Sequence, residues 1–235
     1  MKIKVALFDL DGTLLRMNAE EFTNSYFSNI ASWLEPFGYD KKELISVIWK
    51  GTAAMVKNGG EKTNESVFWD VFKSHYSDRE VDESVFDSFY REGFDRVRLS
   101  CGFSPMSAKA IELLKEKGIT VALATNPLFP SVATEKRCRW AGLVPEDFAL
   151  ITTYENSRFC KPNLDYYREI AKVLGVKEQE CLMVGNDVDE DMIASSVGMR
   201  VFLLTDNVIN RHGADVSAYP SGSFPELVEY INKNL

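Results

Sequence analysis

The stretch KIKVALFDLDGTLL, from Lys2 to Leu15, constrains this chain more than any other. Its run Ile3-Lys4-Val5-Ala6-Leu7-Phe8 is short, mostly apolar and suited to a strand buried on both faces. The run then breaks into Asp9-Leu10-Asp11-Gly12-Thr13. Two carboxylates at the end of a buried strand are costly unless something neutralises them. Open α/β sheets hold their ligands at the carboxyl edge, so a metal ion and a phosphate are the expected partners. Side chains two apart on a strand share a face, which lets Asp9 and Asp11 look into one site. Gly12 permits the sharp turn that follows.

A length of 235 residues fits one domain, or a core domain with an insertion. A hydrophobic content of 45% is ample for a packed core. The net charge of −8 argues against a nucleic-acid or anionic-membrane surface. No apolar stretch approaches transmembrane length, and the N-terminus lacks a signal-peptide pattern. The expectation is a soluble cytoplasmic protein, monomeric or weakly dimeric, with neither nucleic acid nor membrane as a partner. Cys101, Cys138, Cys160 and Cys181 are widely spaced, which predicts reduced thiols rather than a disulfide or zinc framework. His75 falls on an apolar helical stripe and reads as packing, while His212 falls in a loop.

From Asn18 onward the period becomes helical. Phe22, Tyr26, Ile30, Trp33 and Phe37 form a stripe, opened by Asn18 with Glu21 three residues on. Asp40 and Glu43 open a second helix carrying Leu44, Ile48, Gly51 and Met55, stopped at Lys57-Asn58-Gly59-Gly60. A third carries Phe68, Val71, Phe72 and His75, and a fourth, after Asp82, carries Phe86, Phe89 and Tyr90. Short connections between four amphipathic helices predict a small antiparallel bundle over residues 16–98.

After Ser104-Pro105 strands alternate with helices. Strands are expected at 119–124, 148–152, 181–184 and 199–204, and helices at 106–117, 130–141, 163–174, 189–197 and 224–234. That alternation predicts a parallel, Rossmann-like α/β sheet with helices on both faces, formed by residues 1–15 and 99–235.

The later strands end in polar groups. Thr125-Asn126 follows the second, Cys160-Lys161-Pro162 lies beyond the third, and Gly185-Asn186-Asp187-Val188-Asp189-Glu190-Asp191 follows the fourth. Singly, these read as a strand cap, a solvated loop and a helix N-terminus. Together, at successive strand ends, they describe a site.

The motifs DLDGT (9–13), ATN (124–126), KP (161–162) and GNDVDED (185–191) resemble the haloacid dehalogenase superfamily. The resemblance is to its phosphatase-like branch, with a helical cap inserted after the first motif. It implies Asp9 as nucleophile, forming an aspartyl-phosphate, and Asp11 as general acid and base. It implies Mg2+ held by Asp9, the main-chain carbonyl of Asp11 and a carboxylate of the last motif. Thr125, Asn126 and Lys161 would hold the phosphoryl oxygens, with Gly12 and Thr13 lining the same loop. In the commoner form of the last motif an aspartate directly follows the glycine. Here Asn186 takes that place, so Asp187 is expected as the metal ligand, with Asn186 and Asp191 in support.

Within the resemblance, Asp11 favours a phosphatase, because an alkoxide needs a proton to leave and a halide does not. The implied function is Mg2+-dependent hydrolysis of a small phosphorylated metabolite. A sugar phosphomutase using the same residues, and a non-catalytic metal-binding module, are the alternatives. Sugar phosphates, nucleoside monophosphates and phosphoglycolate-like acids all remain open as substrates. Arg16, Met17 and the stretch 57–62 are candidate cap contacts to them.

Overall fold

A computed structural model, describing residues 2–235, shows the opening apolar run as β1 (Val5–Phe8), every residue of it buried. It is flanked by β2 (Thr120–Leu123) and β3 (Cys181–Gly185), and the sheet continues through β4 (Arg200–Leu204) to β5 (Ser221–Gly222). All pairings are parallel, in the order β2-β1-β3-β4-β5. Val5 lies between Thr120 and Cys181, and Phe8 between Leu123 and Val184, so three strands end level with Asp9.

The period of two divides the core. Ala6, Phe8, Val121, Leu123, Leu182 and Val184 face one apolar cluster with Ala110, Ile111 and Leu114 of α5 (Pro105–Glu116) and Leu227 and Ile231 of α8 (Phe224–Asn234). Val5, Leu7, Ala122, Met183, Val201 and Leu203 face the other with Tyr166, Tyr167 and Ile170 of α7 (Leu164–Val173). α6 (Ser131–Trp140) adds Ala133, Cys138 and Trp140 to the first cluster. This is the doubly wound sheet expected from the strand–helix alternation.

Between β1 and α5 the chain is helical: α1 (Ala19–Leu34), α2 (Lys41–Val56), α3 (Asn64–His75) and the short α4 (Ser84–Ser88). The first three begin where polar side chains take up free amides. Asn18 accepts from Glu20 and Glu21, Asp40 from Lys42 and Glu43, and Thr63 from Ser66. Phe22, Tyr26, Ile30, Leu44, Phe72 and Phe86 join the same cluster as one face of the sheet, so the insertion is packed onto the core. Among the described residues no helix is long and apolar enough to cross a membrane.

Five expectations need correction. The strand expected at 148–152 is reduced to one parallel bridge, Ile151 to Leu123. Asn156 bonds the Ile151 carbonyl at 2.8 Å and the Thr153 amide at 2.9 Å, satisfying with a side chain what a further strand would have used. The helix expected at 189–197 is only a 3-10 turn, Met192–Val197, because side chains of the preceding acidic run bond its own amides. The fourth helix passes from α4 into a π turn (Phe89–Gly93) and a 3-10 stretch (Phe94–Ser100). Gly93 there presses on Trp33, where a Cβ would meet the indole at 2.9 Å.

Phe37 is 48% exposed, because α1 stops at Leu34 and the tighter turn Glu35–Phe37 shifts the phase of the stripe. His75 is an exposed partner of Glu43 at 2.9 Å rather than packing. β5, held by the Leu203 amide to the Pro220 carbonyl at 2.9 Å, was not expected, since Pro-Ser-Gly carries no strand pattern. The four thiols are free.

Phe72 is fully buried among Tyr39, Phe68, Trp69, Tyr76 and Phe86. Phe72→Ala is expected to cost about 3–5 kcal/mol through lost burial and the cavity left behind. Urea denaturation followed by tryptophan fluorescence measures it; a loss below about 1 kcal/mol would mean the ring is not part of a close-packed core.

Candidate active site

The sheet ladder runs one residue past the strand ends. The Asp9 amide donates to the Val184 carbonyl at 2.9 Å, and the Ala124 amide to the Phe8 carbonyl at 2.7 Å. Asp9, Thr125 and Asn186 therefore arrive at one carboxyl edge, as the strand-end positions predict. Lys161 enters from the loop before α7, through a cis bond to Pro162.

Lys161 is 1% exposed, and its Nζ lies 2.9 Å from Asp9 Oδ1 and 2.6 Å from Asp191 Oδ1. Burial alone would lower its pKa, but Asp191 and Asp9 reverse that and hold it well above the usual lysine range. Asp191 is fully buried, and desolvation pushes its carboxyl up to about 7 against the pull of Lys161. Asp191 reaches the site only because residue 185 is glycine. A Cβ there would sit 2.1 Å from Asp191 Oδ2.

The other oxygen of Asp9 is 3.1 Å from Thr13 Oγ1, which is 2.7 Å from Asn186 Oδ1. Gly12 adopts φ +87° and backs onto the Asn186 amide, where a Cβ would approach to 2.6 Å. Behind Thr125, Thr152 Oγ1 and Tyr166 OH donate to its carbonyl at 2.7 and 2.8 Å and fix that backbone. Asn126 Oδ1 accepts from the Lys161 amide at 3.2 Å, and its Nδ2 donates to Glu190 Oε2 at 3.1 Å.

Asp11 stands apart from Asp9. Its Oδ2 is paired with Arg137 of α6, while its Oδ1 is buried with no hydrogen-bond partner. Burial raises its pKa, with Arg137 opposing and Asp9 adding to the rise. Arg137 is itself 1% exposed and lies over the rings of Phe129 and Phe22, 4.5 and 6.0 Å from their centroids. Sequence reasoning missed Arg137. The available signal was its place on the buried stripe Ala133, Arg137, Ala141, where an arginine needs an anionic partner.

Asp187, expected to face the metal, is committed elsewhere. Its Oδ1 accepts from the Asp189 and Glu190 amides at 2.9 and 3.0 Å, and its Oδ2 from Arg211 at 2.7 Å. Asn186, not Asp187, shares Thr13 with Asp9. Of the expected cap contacts, Met17 is half-buried and bridges Cys101, and Arg16 is exposed. Lys57 is exposed, and Lys62 pairs with Asp70 at 2.8 Å. His212 is exposed, 3.9 Å from Asp189.

Among the described residues no three His, Cys, Asp or Glu side chains converge to hold a metal ion. A cation would have to draw on main-chain and amide oxygens too. The donor chemistry fits a divalent ion: Asp9 and Asn186 bring side-chain oxygens together around Thr13, the hard donor type such an ion takes.

Asp9, a buried lysine and a second aspartate thus meet at one sheet edge. The model of the haloacid dehalogenase-like hydrolases matches residues 3–196. The chain belongs to that family. It is thus an enzyme of the haloacid dehalogenase-like hydrolase class. It is 22% identical to a pyrophosphatase of Halalkalibacterium halodurans, over 98% of each chain. It is 24% identical to a phosphoglycolate phosphatase of Agrobacterium fabrum, over 83% of this chain and 77% of that one. A crystal structure of a HAD phosphatase from Thermococcus onnurineus shares the fold, with TM-score 0.58 and 20% identity over 98% of each chain.

Lys161→Met leaves Asp191 buried without a cation and raises its pKa further. At pH 5 keeping that proton in the folded state costs little; at pH 8 the folded carboxyl must either keep a proton that the unfolded chain releases or ionise unpaired, and both are costly. The expected loss of stability is about 3–5 kcal/mol at pH 8 and clearly smaller at pH 5. Urea melts at the two pH values check it. Equal losses would show that Asp191 does not carry the proton.

Proposed function

We propose that this hydrolase is a phosphatase acting on phosphomonoesters through Asp9. The observation that carries the reading is the contrast between two aspartates two residues apart. Asp9 is held by Lys161 and Thr13, whereas burial favours the protonated form of Asp11, whose Oδ1 is unengaged. A nucleophile must be ionised and a general acid must hold a proton.

In the first step an Asp9 oxygen attacks phosphorus, the ester P–O bond breaks, and Asp11 gives its proton to the leaving oxygen. In the second, Asp11 takes a proton from water as that water attacks the aspartyl-phosphate, which releases inorganic phosphate and restores Asp9. Lys161, the Thr125 hydroxyl and the Asn126 amide hold the phosphoryl oxygens, where the transition state's charge is spread. The hydrogen bonds behind Thr125 keep that backbone from shifting as charge develops. Arg137 keeps the Asp11 carboxyl aimed at the site.

Mg2+, when bound, supplies charge neutralisation at the phosphoryl group. The Asp9 carboxylate, the Asp11 carbonyl and the Asn186 amide oxygen would hold it, an all-oxygen set suited to this ion. Asn186 takes the place the sequence reading assigned to Asp187, which caps the turn after β3 and pairs with Arg211. Residues 16–98 act as a cap over the site, and the expected compartment is the cytoplasm. The names of the two relatives, a pyrophosphatase and a phosphoglycolate phosphatase, support phosphoryl hydrolysis and leave the substrate open.

Asp9→Asn should abolish phosphate release with the fold intact by circular dichroism. Asp11→Asn should depress turnover of alkyl phosphates far more than that of p-nitrophenyl phosphate, whose leaving group needs little protonation. Equal losses on both would remove Asp11 as the acid.

Metal titrations of activity locate the ligand. Asn186→Ala should raise the Mg2+ needed for half-maximal rate by roughly tenfold, and Asn186→Asp should lower it, because Mg2+ prefers charged oxygens. Asp187→Asn should move it little. A large shift for Asp187→Asn alone would return the role to Asp187.

A further inference from the structure

The leaving group must sit on the side of the phosphoryl group that Asp11 serves. Asp11 lines a cavity of about 260 Å3 between the helical insertion and the sheet edge. Phe22, Phe68, Trp69, Phe86, Leu128 and Phe129 form much of its wall. Among the described residues Asp11 is the sole charged group lining it.

Most polar atoms in the wall are already used. The Tyr26 and Tyr90 hydroxyls bond each other at 2.8 Å, Thr52 Oγ1 donates to the Ile48 carbonyl at 2.9 Å, and Tyr154 bonds Trp69. A sugar or a second carboxylate placed there would leave its own polar groups without partners, which burial penalises. Trp49, 51% exposed, lies 5.2 Å from Phe27 between ring centroids and carries the apolar lining to the surface. A second cavity, of about 380 Å3, is mixed in character, lined by Gly12, Thr13, Arg16, Asn18, Asp206 and Asn207 among others. Asp11 does not line it.

We infer that the substrate is a phosphomonoester whose alcohol is apolar, an alkyl or aryl group that fills the aromatic cavity while its bridging oxygen meets Asp11. This rests on the phosphatase reading and narrows it. The small, anionic or polyhydroxylated esters are then poor substrates.

The test is a series of n-alkyl phosphates, ethyl to hexyl, at fixed Mg2+. Their alcohols have nearly equal acidity, so Asp11's task stays constant while buried area grows. Full burial is worth about fourfold per methylene, so kcat/KM should rise by about tenfold or more across the series. Hexyl phosphate should also outrun glycerol 1-phosphate and glucose 6-phosphate. Thr52→Phe, which fills the cavity from α2, should collapse the hexyl-to-ethyl ratio to within about twofold. Calorimetry with the non-hydrolysable hexylphosphonate and ethylphosphonate reads the cavity without turnover, and about tenfold tighter binding of the longer chain is expected. Turnover of the esters with a flat series, a preference for the polar esters, or an unchanged ratio in Thr52→Phe overturns the inference alone. No turnover of any ester sinks the phosphatase reading, while hexylphosphonate binding tightly would still uphold the apolar site. Equal binding of the two phosphonates would overturn it.

Discussion

A single buried ammonium holds this site together. Lys161 sits between Asp9 and Asp191, 152 and 30 residues away in the chain, and ties the end of β1 to the turn after β3. A lysine buried to this degree would lose its proton without anionic neighbours, and two buried carboxylates would not both ionise without a cation. Each charge is tolerable only because the others are present. Removing one leaves an uncompensated charge, so the three segments are locked in register. The lock leaves one Asp9 oxygen on Lys161 and the other beside Thr13.

Two aspartates on one loop sit in opposite surroundings. Asp9 has a lysine and a hydroxyl on its oxygens. Asp11 faces an arginine on one side and an aromatic cavity on the other. Burial raises the Asp11 pKa against the pull of Arg137, and its unengaged oxygen has no donor to stabilise the charge. The helical insertion makes this contrast. Phe22 of α1 and Phe129 of the core both lie beside the Arg137 guanidinium, and the aromatic residues of α1, α2 and α3 wall the space beside Asp11. The insertion that walls this cavity thereby also buries the Asp11 carboxyl.

Much of the fold was legible because strand and helix signals are local. Alternate burial of Ala6 and Leu7 on opposite faces follows from the pleat, and Asn18, Asp40 and Thr63 announce their helices through side chains that reach two or three residues ahead. The failures share a cause. Segment 148–152 looks like a strand, yet Asn156 occupies its outer hydrogen bonds. Segment 189–197 has a helix's composition, yet Asp187 and Asp191 each spend one oxygen on the acidic turn itself. Phe37 continues a helical stripe that the tighter turn at 35–37 rotates outward. In each case a short-range polar contact or a change of helical pitch overrode the hydrophobic period.

The sequence by itself determined the sheet edge, the four motif positions along it and the hydrolase family, because a strand's end and the residues that follow it are set by the chain's own periodicity. Which residues serve each charge was decided by tertiary structure. Asp187 and Asn186 are neighbours in sequence; the Asp189 and Glu190 amides and the distant Arg211 take one, Thr13 and Asn207 the other. Arg137 reads as one more charge on a polar helix until folding sets it against Asp11, 126 residues away. The apolar cavity likewise exists only where α1, α2 and α3 meet the core. Electrostatic pairing and cavity shape depend on distances between segments far apart in the chain, and those distances are properties of the packed molecule.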